Sequence, residues 1–250
     1  MFHRHGPTFW ELARQALSST ERGYDLLAPK FDYTPFRTPA WLLQPVADFW
    51  SQDTEQPPFR AGLDVCCGTG AGMQLLRPYC REQVVGWDMS QGMLDVASEH
   101  SRSWDGAAAV EFVRGDVLAP CFESRFDAAV CFGALGHILP RDAAQFYANI
   151  HRALEDGGRL FLLTAPMPRL WTLRYWLGRG FNGAMHIRNL LIRPPFIMFY
   201  LTHTLPELVN VLEQVGFSVE SHSGLFPRRA AACRLIVATK QKQTAETIGE

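Results

Sequence analysis

This sequence predicts an α/β domain built on a largely parallel sheet, and three observations lead there. Short apolar runs with turn residues beside them recur from about residue 61, helix-length segments separate most of these runs, and the last two are joined by only a short loop. Strands alternating with helices give a parallel sheet covered on both faces, whereas two strands joined by a short loop are most simply antiparallel. With 250 residues and a hydrophobic share of 47%, the chain can bury a real core, which excludes a disordered or fibrous protein.

Residues 1–60 read as a helical, loop-rich cap. Phe9-Trp10-Glu11-Leu12-Ala13 opens an apolar-periodic segment, and prolines at 29, 35, 39, 45, 57 and 58 interrupt the remainder of the cap. The strand candidates AGLDVC, QVVGWD, AVEFVRGD, FDAAVCF and GRLFLLT come next. Helices are expected over 71–79, 91–100 and 142–154, the last keeping Ala143, Phe146, Ile150 and Leu154 at helical period. After an insert at 166–203, Thr204-Leu205-Pro206-Glu207 looks like a helix start, with Thr204 as cap and Glu207 at the third helical position. Leu208, Val211, Leu212 and Val215 form the buried stripe of that helix and Gly216 ends it. GFSVESHS and AACRLIVAT are the final strands. The division is therefore a cap at 1–60, a main domain at 61–240 containing the insert, and a polar tail at 241–250 expected to fray.

Lys plus Arg number 24 and Asp plus Glu 25, so the net charge of −1 supplies no global field for gripping nucleic acid. The six cysteines form no C-x-x-C pair and no ligand spacing with histidine, which points to a reducing compartment with neither a disulfide frame nor a metal site. The first residues lack the apolar stretch of a secretory signal. No uncharged run reaches the roughly 18 residues of a membrane span, so the expected location is cytoplasmic.

Net charge conceals an asymmetry. Residues 157–206 hold six arginines and no acid, beside Trp171, Tyr175, Trp176, Phe181, Phe196, Phe199 and Tyr200. The prolines at 166, 168, 194 and 195 are expected to break the insert into short pieces, with Leu170, Leu173, Trp176 and Leu177 on one face of a short helix. Such a segment reads first as a lid over an apolar pocket. The same composition also describes a peripheral contact with an anionic membrane surface.

The strand AGLDVC runs directly into Cys67-Gly68-Thr69-Gly70-Ala71-Gly72, three glycines at alternate positions between a strand end and a helix start. A backbone without side chains lets a ligand approach closely, and a helix N-terminus favours electron-rich groups. Asp88 closes the next strand, 24 residues after Asp64, where a carboxylate can accept two hydrogen bonds from ribose hydroxyls; Asp116 closes the third.

These residues resemble the class I S-adenosylmethionine-dependent methyltransferases. LDVCCGTGAG is similar to their first motif, WDMSQGML to the acidic second, RGDVL to the adenine-contacting turn, FDAAVCFGALGHI to the fourth-strand motif and LEDGGRLFLLT to the turn into the fifth strand. The resemblance implies a seven-stranded Rossmann-like sheet, mostly parallel with an antiparallel last strand, and S-adenosyl-L-methionine as cofactor. It implies that Asp64, Gly68, Gly70 and Gly72 surround the amino-acid end, that Asp88 holds the ribose, and that Met89, Asp116 and Val117 attend the adenine. Phe132 and Gly133 would border the methionine part. Cys66 stands where the family often has glycine, though relatives of the quinone-biosynthesis type carry cysteine there. Tyr24 resembles a cap-helix tyrosine that covers the cofactor in those relatives, with plain packing as the other reading. Cys66 and Cys67 read as packing residues, since no base or metal partner lies near them in sequence.

Methyl transfer from a sulfonium requires mainly alignment, so a base is optional. His137, just past the fourth strand, is the candidate catalytic base for a hydroxyl acceptor on the premise that it titrates near neutrality; its alternative is a lining residue. His186 and His203 are weaker candidates. Phe132-Gly133-Ala134-Leu135 departs from the Asn/Asp-Pro-Pro-aromatic motif of base-methylating relatives, which argues against a nucleic-acid substrate. A small acceptor with a lipophilic or aromatic body complements the insert. Two other readings stay open: a non-catalytic member of the same fold, and a dinucleotide-dependent oxidoreductase, for which the Tyr-x-x-x-Lys pair is missing.

Overall fold

The computed structural model describes residues 3–51 and 58–242. Most of the expected polar tail, residues 243–250, lies outside the described residues. The elements run α1 (Phe9–Ala16), α2 (Thr20–Leu27), α3 (Ala40–Trp50), β1 (Phe59–Val65), α4 (Ala71–Leu76), β2 (Cys80–Asp88), α5 (Gln91–Ser101), β3 (Ala109–Arg114), β4 (Phe126–Cys131), α6 (Ala143–Ala153), β5 (Leu154–Thr164), α7 (Leu173–Leu191), α8 (Glu207–Val215), β6 (Phe217–His222) and β7 (Arg234–Lys240).

One seven-stranded sheet has the order β3-β2-β1-β4-β5-β7-β6. The pairs β1–β2, β1–β4, β2–β3 and β4–β5 are parallel, while β7 lies antiparallel to both β5 and β6. This is the predicted Rossmann-like sheet, its last strand inserted as a hairpin partner. Strand alternation divides the core in two. Leu63, Val85, Trp87, Ala129, Leu160 and Leu162 meet α6 and α8 on one face, and Val84, Ala128, Val130 and Phe161 meet α3, α4 and α5 on the other. Each fully buried Leu, Val or Phe contributes about 1.5–3 kcal/mol. Trp50 joins the cap to the second face: its ring lies 5.5 Å from Phe59 and 5.2 Å from Phe161, both edge-on.

Several boundaries depart from expectation for identifiable reasons. The helix expected over 71–79 ends as α4 at Leu76, and 77–79 form a 3₁₀ turn containing Pro78, which has no N–H to continue the α pattern. Thr204 does not cap α8 with its side chain. Pro206 holds the cap position, and the Thr204 hydroxyl donates to the Glu207 carboxylate at 3.3 Å. Gly216 closes α8 in the left-handed conformation at φ 107°, as its position predicts.

The insert differs most. Its middle is not a set of short pieces but one 19-residue helix, α7, because all four prolines fall outside Leu173–Leu191. Leu170, Leu173, Trp176 and Leu177 face solvent and do not close over a pocket. What crosses the sheet edge is the segment after the helix. The N–H of Ile197 donates to Thr20 at 2.7 Å and that of Phe199 to the Gly136 carbonyl at 2.8 Å, so residues 196–200 thread between α2 and the turn after β4.

Candidate active site

Strand order reverses between β1 and β4, and the loops leaving their carboxyl ends diverge there to open a crevice, the usual ligand position in sheets of this kind. A cavity of about 440 Å³ fills it. Its floor is the Gly68–Gly72 loop with Asp64, Asp88 and Met89; Asp116, Val117, Phe132 and Gly133 form one side; Tyr24, Phe31 and residues 35–38 of the cap, with Ile197, Met198 and Tyr200 of the insert, form the roof.

Ten of the eleven residues expected to bind cofactor line this cavity. Gly70 does not. It adopts φ 88° as the cap of α4, and a Cβ there would meet the Trp104 ring at 2.4 Å, so its glycine serves the turn and a close ring contact. A Cβ on Gly72 would collide with the Asp64 carboxylate at 2.5 Å. Cys66 has φ 56°, in the left-handed region that favours glycine, which fits the glycine that the resemblance leads one to expect there. The hydrogen bond with Cys131, and next burial, pushes the Cys66 thiol well up, and burial does the same to Cys67, so both stay protonated and pack.

Asp88 accepts from the N–H of Gly68 at 2.9 Å and of Ser90 at 2.9 Å, one on each carboxylate oxygen. These bonds tie the Gly-rich loop to the end of β2 and leave lone pairs on both oxygens. Asp64, 2% exposed, is different: one of its oxygens has no partner among the described residues. Burial, with a smaller contribution from the charge of Asp88, pushes its carboxyl up to about 8. An unpartnered buried oxygen on the cavity floor suits a cationic donor such as an ammonium group.

On the roof, the Tyr24 hydroxyl and His137 Nε2 share a short hydrogen bond, their rings 5.1 Å apart. Phe196 stacks on the other side of Tyr24. Burial lowers the His137 imidazole to about 4, so the expectation that it titrates near neutrality is not met. Neutral His137 therefore accepts the Tyr24 proton on Nε2 and carries its own on Nδ1, which is buried without a partner among the described residues. Burial, and next the Asp88 charge, hold the Tyr24 phenol above its ordinary range.

The two histidines of the insert stand apart from the cavity. His203 bridges the Tyr147 hydroxyl at 2.9 Å and the Ile138 carbonyl at 2.9 Å, a structural clasp, and His186 packs against Phe199. The cap's polar contacts carry no signal in the sequence. Asp25 accepts from the Ser90 hydroxyl at 2.6 Å and the Gly92 N–H at 3.0 Å, and Asp32 accepts from Thr69 at 2.5 Å and pairs with the cavity-lining Arg37 at 3.1 Å. Among the described residues, no helix is long and apolar enough to cross a membrane.

The chain matches a family described as a methyltransferase domain over residues 63–158. It is 33% identical over 109 residues to a 2-phytyl-1,4-naphtoquinone methyltransferase of Synechococcus elongatus, covering 42% of this chain and 46% of that one. It is 30% identical over 203 residues to a demethylmenaquinone methyltransferase of Bacteroides fragilis, covering 73% of this chain and 77% of that one. Relatives at 33–36% identity are thus spanned over less than half their length. Among solved structures, a magnesium protoporphyrin IX methyltransferase from Synechocystis with bound SAH shares the fold with a TM-score of 0.57 and 19% identity, over 80% of this chain and 82% of that one.

Proposed function

We infer, since this chain belongs to the class I S-adenosylmethionine-dependent methyltransferases, that its cavity binds S-adenosylmethionine and a small lipophilic aromatic acceptor and transfers a methyl group between them. The observation that carries this is the Tyr24–His137 pair, which lines the same cavity as the Gly-rich loop among largely apolar residues of the cap and insert. The naphtoquinone and menaquinone enzymes among its relatives support an acceptor of phenol or hydroquinone type.

In this reading Asp88 accepts from the ribose hydroxyls, Met89, Asp116 and Val117 flank the adenine, and Asp64 receives the ammonium. The bound sulfonium supplies an already activated methyl group. The chain's own residues then have two tasks: to align the acceptor, and to take up the proton it loses. Tyr24 Oη donates to His137 and keeps lone pairs for an acceptor hydroxyl. A proton passed through Tyr24 to His137 creates an imidazolium inside a cavity that is losing the sulfonium charge, so the net charge of the cavity stays constant. That balance lets a buried, weakly basic histidine serve.

Incubation with methyl-labelled S-adenosylmethionine and a panel of phenols, hydroquinones, carboxylates and amines tests this. Label is expected in hydroxylated aromatics with apolar substituents. Transfer confined to amines or carboxylates, or none to any acceptor by a protein that binds the cofactor, contradicts it.

Asp64 provides a further test. Raised to about 8 when no cation faces it, its carboxyl is largely protonated at pH 7 and must release that proton to receive an ammonium. Affinity for S-adenosylmethionine should therefore rise, by at most about tenfold per unit, as pH climbs from 6 toward about 8. Calorimetry in buffers of different ionisation enthalpy should detect proton release on binding, and Asp64→Asn should abolish it. The cofactor-free fold follows the opposite trend: a carboxyl raised in the native state contributes stability that is full below the ordinary carboxylate range and is lost as pH rises toward 8.

A further inference from the structure

We propose that the outward face of α7 is a docking surface for an anionic phospholipid bilayer. Leu173, Trp176, Leu177, Ile187, Leu190 and Leu191 recur at the three- and four-residue spacing of one helix face, and each is between 61 and 77% exposed. Gly180, Gly183 and Ala184 continue the same face between them, so no charge interrupts it. The opposite face is the packed one: Gly178 is buried against Leu201, and Asn182 holds both the N–H and the carbonyl of Tyr200.

Charge selects the occupant. At helical spacing, exposed Arg174 borders one edge of the stripe and exposed Arg179 the other, and Arg169 and Arg193 flank the helix ends. No acid occurs from residue 157 to 206. An apolar stripe between cationic edges fits a helix lying in the plane of a membrane surface, apolar face inward and arginines at the headgroups. The first helix packs beside it. Arg188 donates to the carbonyls of Ala16 and Ser18, which brings the end of α1 against the last turns of α7, and α1 itself exposes Phe9 and Trp10. A second copy of this chain would bring the same arginines to face each other, which the absence of acids leaves uncompensated.

This proposal requires nothing of the cavity's chemistry, so its failure and the failure of the methyl-transfer reading are separately visible. The test is co-sedimentation of the full chain with vesicles of phosphatidylcholine alone or mixed with phosphatidylglycerol. Partition onto the anionic vesicles is expected to exceed that onto neutral ones at least tenfold and to fall as salt rises. Trp176→Glu with Leu190→Glu should reduce it at least tenfold. Arg174→Gln with Arg179→Gln should reduce it about 30-fold, roughly fivefold for each basic side chain near the surface. Both double variants should keep the wild-type melting temperature and cofactor affinity. Equal or absent partition of the wild type, or folded variants that partition like it, would overturn the proposal. So would a wild-type dimer that Trp176→Glu with Leu190→Glu converts to monomer without vesicle binding, which would assign the face to a second copy.

Discussion

His137→Ala is expected to lower the rate of methyl transfer about a hundredfold while leaving cofactor affinity within about twofold, because the imidazole meets the acceptor's proton and not the cofactor. The pH profile is the sharper part of this result. With the imidazole lowered to about 4 by burial, His137 is already neutral at pH 5, so the wild-type rate at saturating cofactor should stay flat from about pH 8 to 5 and fall only as pH approaches about 4. A histidine titrating near neutrality would give a loss centred at about 6.5. Tyr24→Phe removes the hydroxyl between acceptor and imidazole but keeps the ring stacked on Phe196, and should fall between wild type and His137→Ala. Single-turnover rates, with folding checked by melting temperature, provide the measurement. A His137→Ala protein within threefold of wild type would reduce the residue to part of the cavity wall. Stability carries the same sign: a histidine depressed in the native state contributes stability that is present above about 6.5 and is lost as pH falls toward 4.

Asp88→Ala should weaken S-adenosylmethionine binding tenfold or more. Charge-assisted hydrogen bonds from a carboxylate to hydroxyls contribute about 1.5–3 kcal/mol, and about 1.4 kcal/mol is a decade in affinity. Asp88 also receives the N–H groups of Gly68 and Ser90, so the alanine loosens the floor of the cavity as well. Asp88→Asn separates the two effects: it keeps a carbonyl oxygen for one of those donors and loses the charge, and its affinity should lie between the alanine variant and wild type. Calorimetry showing wild-type affinity in a folded Asp88→Ala protein would remove the ribose from this residue.

The parts of the fold that local pattern specifies are readable from the residues. Buried strands such as FDAAVCF carry their apolar runs on their face, and Gly216 ends a helix where a left-handed residue is needed. The Gly-rich loop and the acids at strand ends can be read because a ligand approaching the backbone imposes residue types at fixed offsets. The roof is harder. Asp25 and Asp32 reach the site through Ser90 and Thr69, far from them in sequence, and Arg37, Ile197, Met198 and Tyr200 line the cavity without any period or motif. The prolines of the insert mislead: they bound α7 rather than break it, so its apolar face emerges on the surface and not over the cavity. His137 lies at the cavity as its place after the fourth strand predicts, but its ionisation depends on burial, and its hydrogen-bond partner Tyr24 lies 113 residues away.

A crystal structure with S-adenosylhomocysteine bound would show the site in use. The ribose hydroxyls are expected on the Asp88 carboxylate, the ammonium on the unpartnered oxygen of Asp64, and the sulfur turned toward Tyr24 and His137 with space for an aromatic ring between them. A cofactor whose sulfur faces away from the Tyr24–His137 pair, or whose ribose is held elsewhere than at Asp88, would contradict this assignment.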